Sequence, residues 1–245
     1  MLLEAPVLAV IAVVAIIAAI VGGIGGFGTG IILTAALAPL IGVKNVIPVL
    51  AVAGAIINGG RFWFYRASLE RRTLALVLVC ALPFLVLGTW IYSVLDARAI
   101  GTVLGVVVIL SVPLRRALNR RRVALGRAGL AVGSSVFGLA SGVTSGVGVI
   151  MVSLLLGTGM TGQAVLATDA LTSVALDLCK AALFQRFALL DAQSITMGII
   201  VGVATIPGSA VAAWLVNRMH AHLHVLFLEG LILVGGASLL WNSWR

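Results

Sequence analysis

Five side chains stand out against their surroundings in the stretch "GQAVLATDALTSVALDLCKAALFQRF" (Gly162–Phe187): Asp169, Thr172, Ser173, Asp177 and Lys180. All five lie within an otherwise apolar run. At about 100° per residue they fall on one helix face roughly 140° wide. Asp169 and Ser173 are four apart, as are Ser173 and Asp177, while Asp177 and Lys180 are three apart. Ionisable groups in an apolar run are costly. They face a bundle interior or an aqueous path, where they carry protons, gate access or hold one another. Asp177 and Lys180 have the spacing of an intrahelical ion pair. Asp169 lies about one turn inside the helix, where an acid is also favoured by the helix dipole. The three are therefore candidates for proton coupling or gating, with a structural ion pair as the plainer reading of the last two.

A second chemical signal comes from glycine. "VGGIGGFGTG" (Val21–Gly30) holds six glycines in ten residues. "FGLASGVTSGVG" (Phe137–Gly148) repeats its spacing at an offset of 116, with Gly22, Gly26 and Gly30 falling on Gly138, Gly142 and Gly146, and Thr29 on Ser145. Gly23, Gly25 and Gly28 satisfy the dinucleotide fingerprint. That motif needs a preceding strand and an acid about 20 residues on, and around position 48 the chain reads "NVIPVLAVA" with no acid. Two readings remain. Overlapping G-x-x-x-G spacings let helix backbones pack closely. Alternatively, so many glycines break a helix, each costing about 1 kcal/mol against alanine. A break at membrane depth is tolerated only where it is buried or lines a cavity. Paired breaks in a repeat point to a central binding site, where free backbone N–H groups favour anions. The candidate anion ligands are Gly28, Thr29, Gly30, Thr144, Ser145 and Gly146, with Asn58 and Thr168 completing the set.

The remaining polar residues say less. In "NVIPVLAVAGAIINGGRFWFYR" (Asn45–Arg66), Gly54, Asn58, Arg61 and Tyr65 share a face. Asn58 should find a partner. Arg61 has the charge to hold an anion, but "RFWFYR" also resembles an interfacial aromatic belt with snorkelling arginines. "HAHLH" (His220–His224) is a solvated loop rather than a metal site, and Cys179 falls just off the polar face, where it packs. "LASGVTSG" invites a serine nucleophile, yet no histidine base lies in any apolar segment. No catalytic residue, metal site or cofactor is expected, and the chain is read as a non-enzyme.

These residues must be positioned by membrane helices. Of 245 residues, 62% are hydrophobic and 9% charged, with mean hydropathy +1.23. The apolar runs are continuous rather than alternating, which excludes a β-barrel and predicts an all-α, polytopic transmembrane bundle of 8–10 segments. Ten can be drawn, at about 2–21, 30–41, 46–65, 73–95, 99–113, 129–143, 146–156, 163–187, 194–216 and 225–241. The second and seventh are short and follow the glycine-rich stretches. The net charge of +9 is concentrated in short loops, notably Arg115, Arg116, Arg120, Arg121, Arg122 and Arg127. That is a cytoplasmic-side signal rather than a nucleic-acid footprint. The repeat divides the chain into a first half, 1–113, a basic cytoplasmic linker, 114–128, and a second half, 129–245. Basic loops after the third and fifth segments share one side. Each half then has an odd number of crossings whether both short segments cross or both re-enter, which inverts the halves; only a mixed case, with one crossing lost per half, makes them parallel.

Together, "GGIGGFGTG" with its echo "GLASGVTSGVG", Gly42 and Gly159 after the short segments, the "VLA" runs that open the third and eighth segments, and the two halves around a basic loop resemble the sulfite exporter TauE/SafE family of membrane transporters. The resemblance covers nearly the whole chain. It implies a multi-pass protein of the bacterial inner membrane that moves sulfite, sulfonates or related organosulfur anions. Residues showed only an anion site. The family often has alanine-threonine-serine early in both the third and eighth segments, whereas this chain has Ala51-Val52-Ala53 and Ala167-Thr168-Asp169, so its substrate can differ from sulfite. The expected function is secondary transport of a small sulfur-containing anion, proton-coupled, with the anion and the lipid bilayer as partners. An anion channel using the same site and a non-transporting membrane scaffold are the alternatives.

Overall fold

A computed structural model describes residues 5–24, 29–120 and 125–216, with isolated positions beyond. Every regular element among the described residues is a helix. The helices are α1 (Ala5–Ile24), α2 (Thr29–Ile41), α3 (Val43–Tyr65), α4 (Arg71–Val94), α5 (Ala97–Arg120), α6 (Arg127–Val143), α7 (Gly148–Gly157), α8 (Gly162–Arg186) and α9 (Ala192–Val216), with a 3-10 turn at Arg66–Ser68 between α3 and α4. They match the first nine expected segments. The tenth expected segment and the "HAHLH" loop lie largely outside the described residues. α5 continues as helix to Arg120, through the first part of the expected linker. Leu114–Arg120 contains good helix formers and no glycine or proline to stop it.

Three helical stretches, Val43–Ser68, Arg71–Val94 and Ala192–Val211, are long and apolar enough to cross a bilayer. The outside of the bundle is apolar as well. Val79, Phe84, Val86, Leu87 and Trp90 on α4, Val132 and Val136 on α6, and Ile199, Val203 and Ile206 on α9 are all exposed. Large apolar side chains exposed on three helices are rare in water-soluble proteins, and lipid is the solvent that fits them. With the resemblance above, this makes the molecule a helical membrane bundle.

α3 and α8 form the centre. At the 116-residue offset of the two glycine stretches most of α3 falls on α8, and the two lie antiparallel. Gly54 and Asn58 meet Asp177, Arg61 meets Asp169, and Ser68 meets Gln163. Glycines set the close approaches around this centre. Gly198 and Gly202 of α9 press on Val52 and Ile56 of α3, and Gly208 presses on the Ile16 carbonyl and Ala19 of α1. α4 and α6 run in parallel, with Gly138 against the Ala81 carbonyl and Gly142 against the Leu85 carbonyl, Gly88 and Thr89. At the end opposite the basic loops, the Tyr92 hydroxyl donates to the carbonyls of Val43 and Lys44 at 3.1 and 3.2 Å. Its ring meets Phe184 edge-on at 5.2 Å. One buried side chain thus ties α4 to the start of α3 and the end of α8.

The second short segment doubles back along α6. The Leu125 backbone N–H donates to the Gly157 carbonyl at 2.7 Å. This brings the end of α7 back beside the start of α6. Between them the chain turns at 144–147, where Thr144 and Val147 are buried and Gly146 takes φ +84. Only glycine adopts that backbone at no steric cost. The tip of the hairpin is therefore inside the protein, and α7, with ten residues, spans only about 15 Å.

Candidate functional site

The two glycine stretches meet. A Cβ built on Gly30 would lie 2.9 Å from Ser145 Oγ and 3.0 Å from the Gly146 nitrogen. A Cβ on Gly146 would strike Ile31. The start of α2 and the α6–α7 turn are thus in backbone contact, which only glycine permits. Thr29 is the first residue of α2 and half-buried. Thr144 is buried, and its hydroxyl donates to the Ser145 carbonyl at 3.4 Å. Residues expected to share a site are therefore together from both halves: Gly30, Ser145 and Gly146 directly, with Thr29 and Thr144 adjoining in sequence. Gly28 lies outside the described residues.

Asn58 and Thr168 are engaged elsewhere. The Thr168 hydroxyl accepts from the Glu70 backbone N–H, 3.4 Å away at the head of α4. Asn58 bridges two ions. Its amide nitrogen donates to Asp177 Oδ2 at 3.3 Å, and its Oδ1 accepts from Arg61 Nη1 at 3.1 Å.

Those bonds belong to a polar chain running across the bundle. Arg61 Nη2 pairs with Asp169 Oδ2 at 3.1 Å, between a side chain 38% exposed and one 3% exposed. Asn58 links Arg61 to Asp177. Asp177 Oδ1 pairs with Lys180 Nζ at 3.2 Å. Lys180 Nζ also donates to the Ser141 carbonyl at 3.1 Å. Ser141 lies in the last turn of α6, whose carbonyls have no partner within the helix. The ammonium thereby caps the helix that leads into the break. The chain makes room for itself at Gly54, where a Cβ would overlap the Asp177 carboxylate. The ion pair expected from the Asp177–Lys180 spacing is present, and Asn58 found the partner its position called for.

Two oxygens of this region lack a hydrogen-bond partner although both are buried: Asp169 Oδ1 and Thr172 Oγ1. They stand three residues apart on one face of α8. Threonine in a helix commonly donates to the carbonyl four residues back, as Thr34 and Thr89 do here at 2.7 and 2.8 Å. Thr172 does not.

The aromatic-belt motif divides. Trp63 and Phe64 are 66% and 83% exposed, and Arg66 stacks over the Trp63 ring at 3.9 Å, as a membrane-interface belt would. Arg61, in the same motif, turns inward to Asp169. The sequence weighed an anion or the interface for Arg61 and missed this partner, 108 positions away. A signal was present. Arg61 and Asp177 occupy equivalent positions at the 116-residue offset, so the two halves place opposite charges at one place in the repeat. Cys179 packs among apolar neighbours, and both cysteines are free thiols. Among the described residues no three His, Cys, Asp or Glu side chains gather as metal ligands would.

Comparison with curated proteins and with solved structures gave no match. A family model described as sulfite exporter TauE/SafE matches residues 11–239, which takes in both glycine breaks and every member of the polar chain. The chain belongs to the sulfite exporter TauE/SafE family of membrane transport proteins.

Proposed function

We propose that this protein is a secondary transporter of a small sulfur oxyanion or organosulfonate across the bacterial inner membrane, built from two inverted repeats and coupled to protons. The observation that carries the reading is the contact of Gly30 with Ser145 and Gly146. It joins two helix breaks from opposite halves, and the first backbone N–H groups of α2 and α7 have no acceptor four residues back within their own helices, although that of Ile150 is taken by the Val147 carbonyl at 2.9 Å. Such groups favour an anion, and Thr29, Thr144 and Ser145 add hydroxyl donors. The breaks touch in the described conformation. An anion enters between them when the halves rock apart, as alternating access requires.

The polar chain supplies the coupling. Asp169, with Asp177 and Lys180 behind it, is placed to exchange protons or to gate one side, while Asn58 and Thr168 act from outside the junction. A packing-only scaffold has one observation in its favour: Gly138 and Gly142 are fully accounted for by contact with α4. Gly30, Ser145 and Gly146 therefore bear the weight of the transport reading.

The test is a thermal-stabilisation screen of the purified protein against sulfite, sulfate, thiosulfate and alkylsulfonates, followed by flux in proteoliposomes. A bound anion raises the melting temperature by mass action. Saturable flux with counterflow is expected, whereas a channel shows neither. No stabilisation and no flux across the panel would return the protein to the scaffold reading.

A further inference from the structure

Arg61 offers the polar chain's most accessible charge, and its partner is nearly sealed. The Arg61 side chain is 38% exposed and Asp169 3%. Asp169 uses one oxygen on Arg61, and the other has no partner. The chain holds two cations, Arg61 and Lys180, and two anions, Asp169 and Asp177. Its charge sums to zero. Lys180 and Asp177 are committed to each other, and Lys180 to the Ser141 carbonyl as well. Arg61 keeps Asn58 on Nη1, so Nη2 is the position an incoming oxyanion can take by displacing the Asp169 carboxylate.

We infer that Arg61 is a substrate-receiving residue, that Asp169 is the internal carboxylate an arriving oxyanion displaces from it, and that one proton enters on Asp169 with each monoanion. This rests on the anion-transport reading above. An anion on Arg61 leaves Asp169 as a buried carboxylate with no cation, and such a group takes up a proton rather than stay charged. No other partner is at hand. The elements packed on α8 are α3, α4, α6, α7 and the 3-10 turn. α3 brings Arg61 itself, with Tyr65 one turn on towards its end and Lys44 at its far, opposite end. The turn brings Arg66, which is stacked on Trp63. α4 brings Arg71 and Arg72 at its exposed start, behind Glu70, with Cys80 and Tyr92 deeper. α6 brings only Arg127 at its exposed start, and α7 has no titratable residue. On α8 itself the nearest charge is Asp177, which adds repulsion. The protonated Asp169 has its own neighbour in Thr172, one turn away and also without a partner. The carboxyl and hydroxyl lack partners only so long as Asp169 stays ionised on Arg61. Anion and proton then move together, and a monoanion is carried with no net charge.

Ethanesulfonate tests this, because its own charge is constant across the working pH range. In proteoliposomes its uptake is expected to acidify the lumen and to be unaffected by an imposed membrane potential. Its dissociation constant is expected to fall about tenfold per pH unit on acidification, where Asp169 is ionised in the free protein. Asp169→Asn is neutral from the start and should bind with no pH dependence. Arg61→Gln should lose about tenfold or more in affinity, with partial recovery in Arg61→Lys. Uptake that responds to potential without acidifying the lumen would overturn the inference and leave the transport function standing. So would an Asp169→Asn protein with the wild-type pH slope. If the wild type binds neither ethanesulfonate nor sulfite, the function itself falls. The potential and lumen-pH readouts use the wild type, so the question is decided even if a variant fails to fold.

Discussion

Lys180 shows what a single residue does here. Its ammonium is nearly buried, pairs with Asp177 and caps the Ser141 carbonyl at the end of α6. Removing one member of a buried pair leaves the other charge uncompensated, at a cost of about 3–5 kcal/mol. Lys180→Met should therefore lower the melting temperature in detergent sharply. Replacing both charges removes that penalty, so Lys180→Met with Asp177→Asn should recover most of the loss. The part not recovered reports the cap on α6. If the double variant is no more stable than the single one, the pair does not hold this region together. The residue scale is also where the sequence was most informative. Charges in an apolar run cannot be ignored by the fold, so Asp169, Asp177 and Lys180 were visible as a face. Their partners were not. Arg61 and Asn58 reach them from another helix, and no spacing within one segment encodes a neighbour brought in by packing.

At the scale of elements, the same residue type has opposite consequences in different helices. Gly142 of α6 has no space for a side chain, since a Cβ would sit 2.6 Å from the Leu85 carbonyl and 2.7 Å from the Thr89 nitrogen. Both are backbone atoms, which cannot turn aside. Gly142→Ala should cost about 1–3 kcal/mol through overpacking. Gly59 of α3 has nothing within 4 Å of where its Cβ would be. Gly59→Ala should stabilise by about 0.5–1 kcal/mol from helix propensity alone. Melting temperatures of the two variants check the pair, and a common sign would refute the packing assignment.

Helix starts add a pH dependence. Asp191 precedes α9, and its Oδ1 accepts from the Ser194 N–H at 2.7 Å. That bond, aided by the Ser194 hydroxyl, holds the Asp191 carboxyl below its usual range. A depressed folded-state pKa stabilises above the unfolded value, and the contribution is lost as pH falls through the folded one. Asp191→Asn should flatten the acid limb of stability slightly, because the group is exposed. An acid limb identical to wild type would show that the cap contributes nothing.

Helix positions were legible from hydropathy because continuous apolar runs and glycine punctuation have few alternative readings. The doubling back of α7 was not. A ten-residue apolar helix is too short to span, but whether it turns back depends on the Leu125–Gly157 bond, and that bond follows from the tertiary arrangement. The run of α5 on to Arg120 was equally hidden, since charge marks a loop's side of the membrane and says little about where its helix ends.

The whole molecule couples these scales through the antiparallel pair α3 and α8. α3 and α8 carry the polar chain, and the chain's inner end, Lys180, grips the helix that runs into the break at Thr144–Gly146. A continuous run of bonds thus leads from Arg61 through Asn58, Asp177 and Lys180 to the helix that ends at the contact between Gly30 and Ser145. If transport needs that contact to open, then locking it must stop flux. The Cβ position of residue 30 lies 2.9 Å from the Ser145 Oγ, close to the separation of a Cβ from the far sulfur of a disulfide; it also lies 3.0 Å from the Gly146 nitrogen, so a cysteine there requires the turn to give slightly, and the reduced double variant is the reference for flux. With Cys80→Ala and Cys179→Ala as background, Gly30→Cys with Ser145→Cys should crosslink on oxidation, abolish anion flux, and regain it on reduction. Either cysteine alone should show no such redox response. Flux that survives a complete crosslink would mean that the two breaks never part, and the substrate path would then have to run along Arg61 and Asp169 without passing between the halves' glycine motifs.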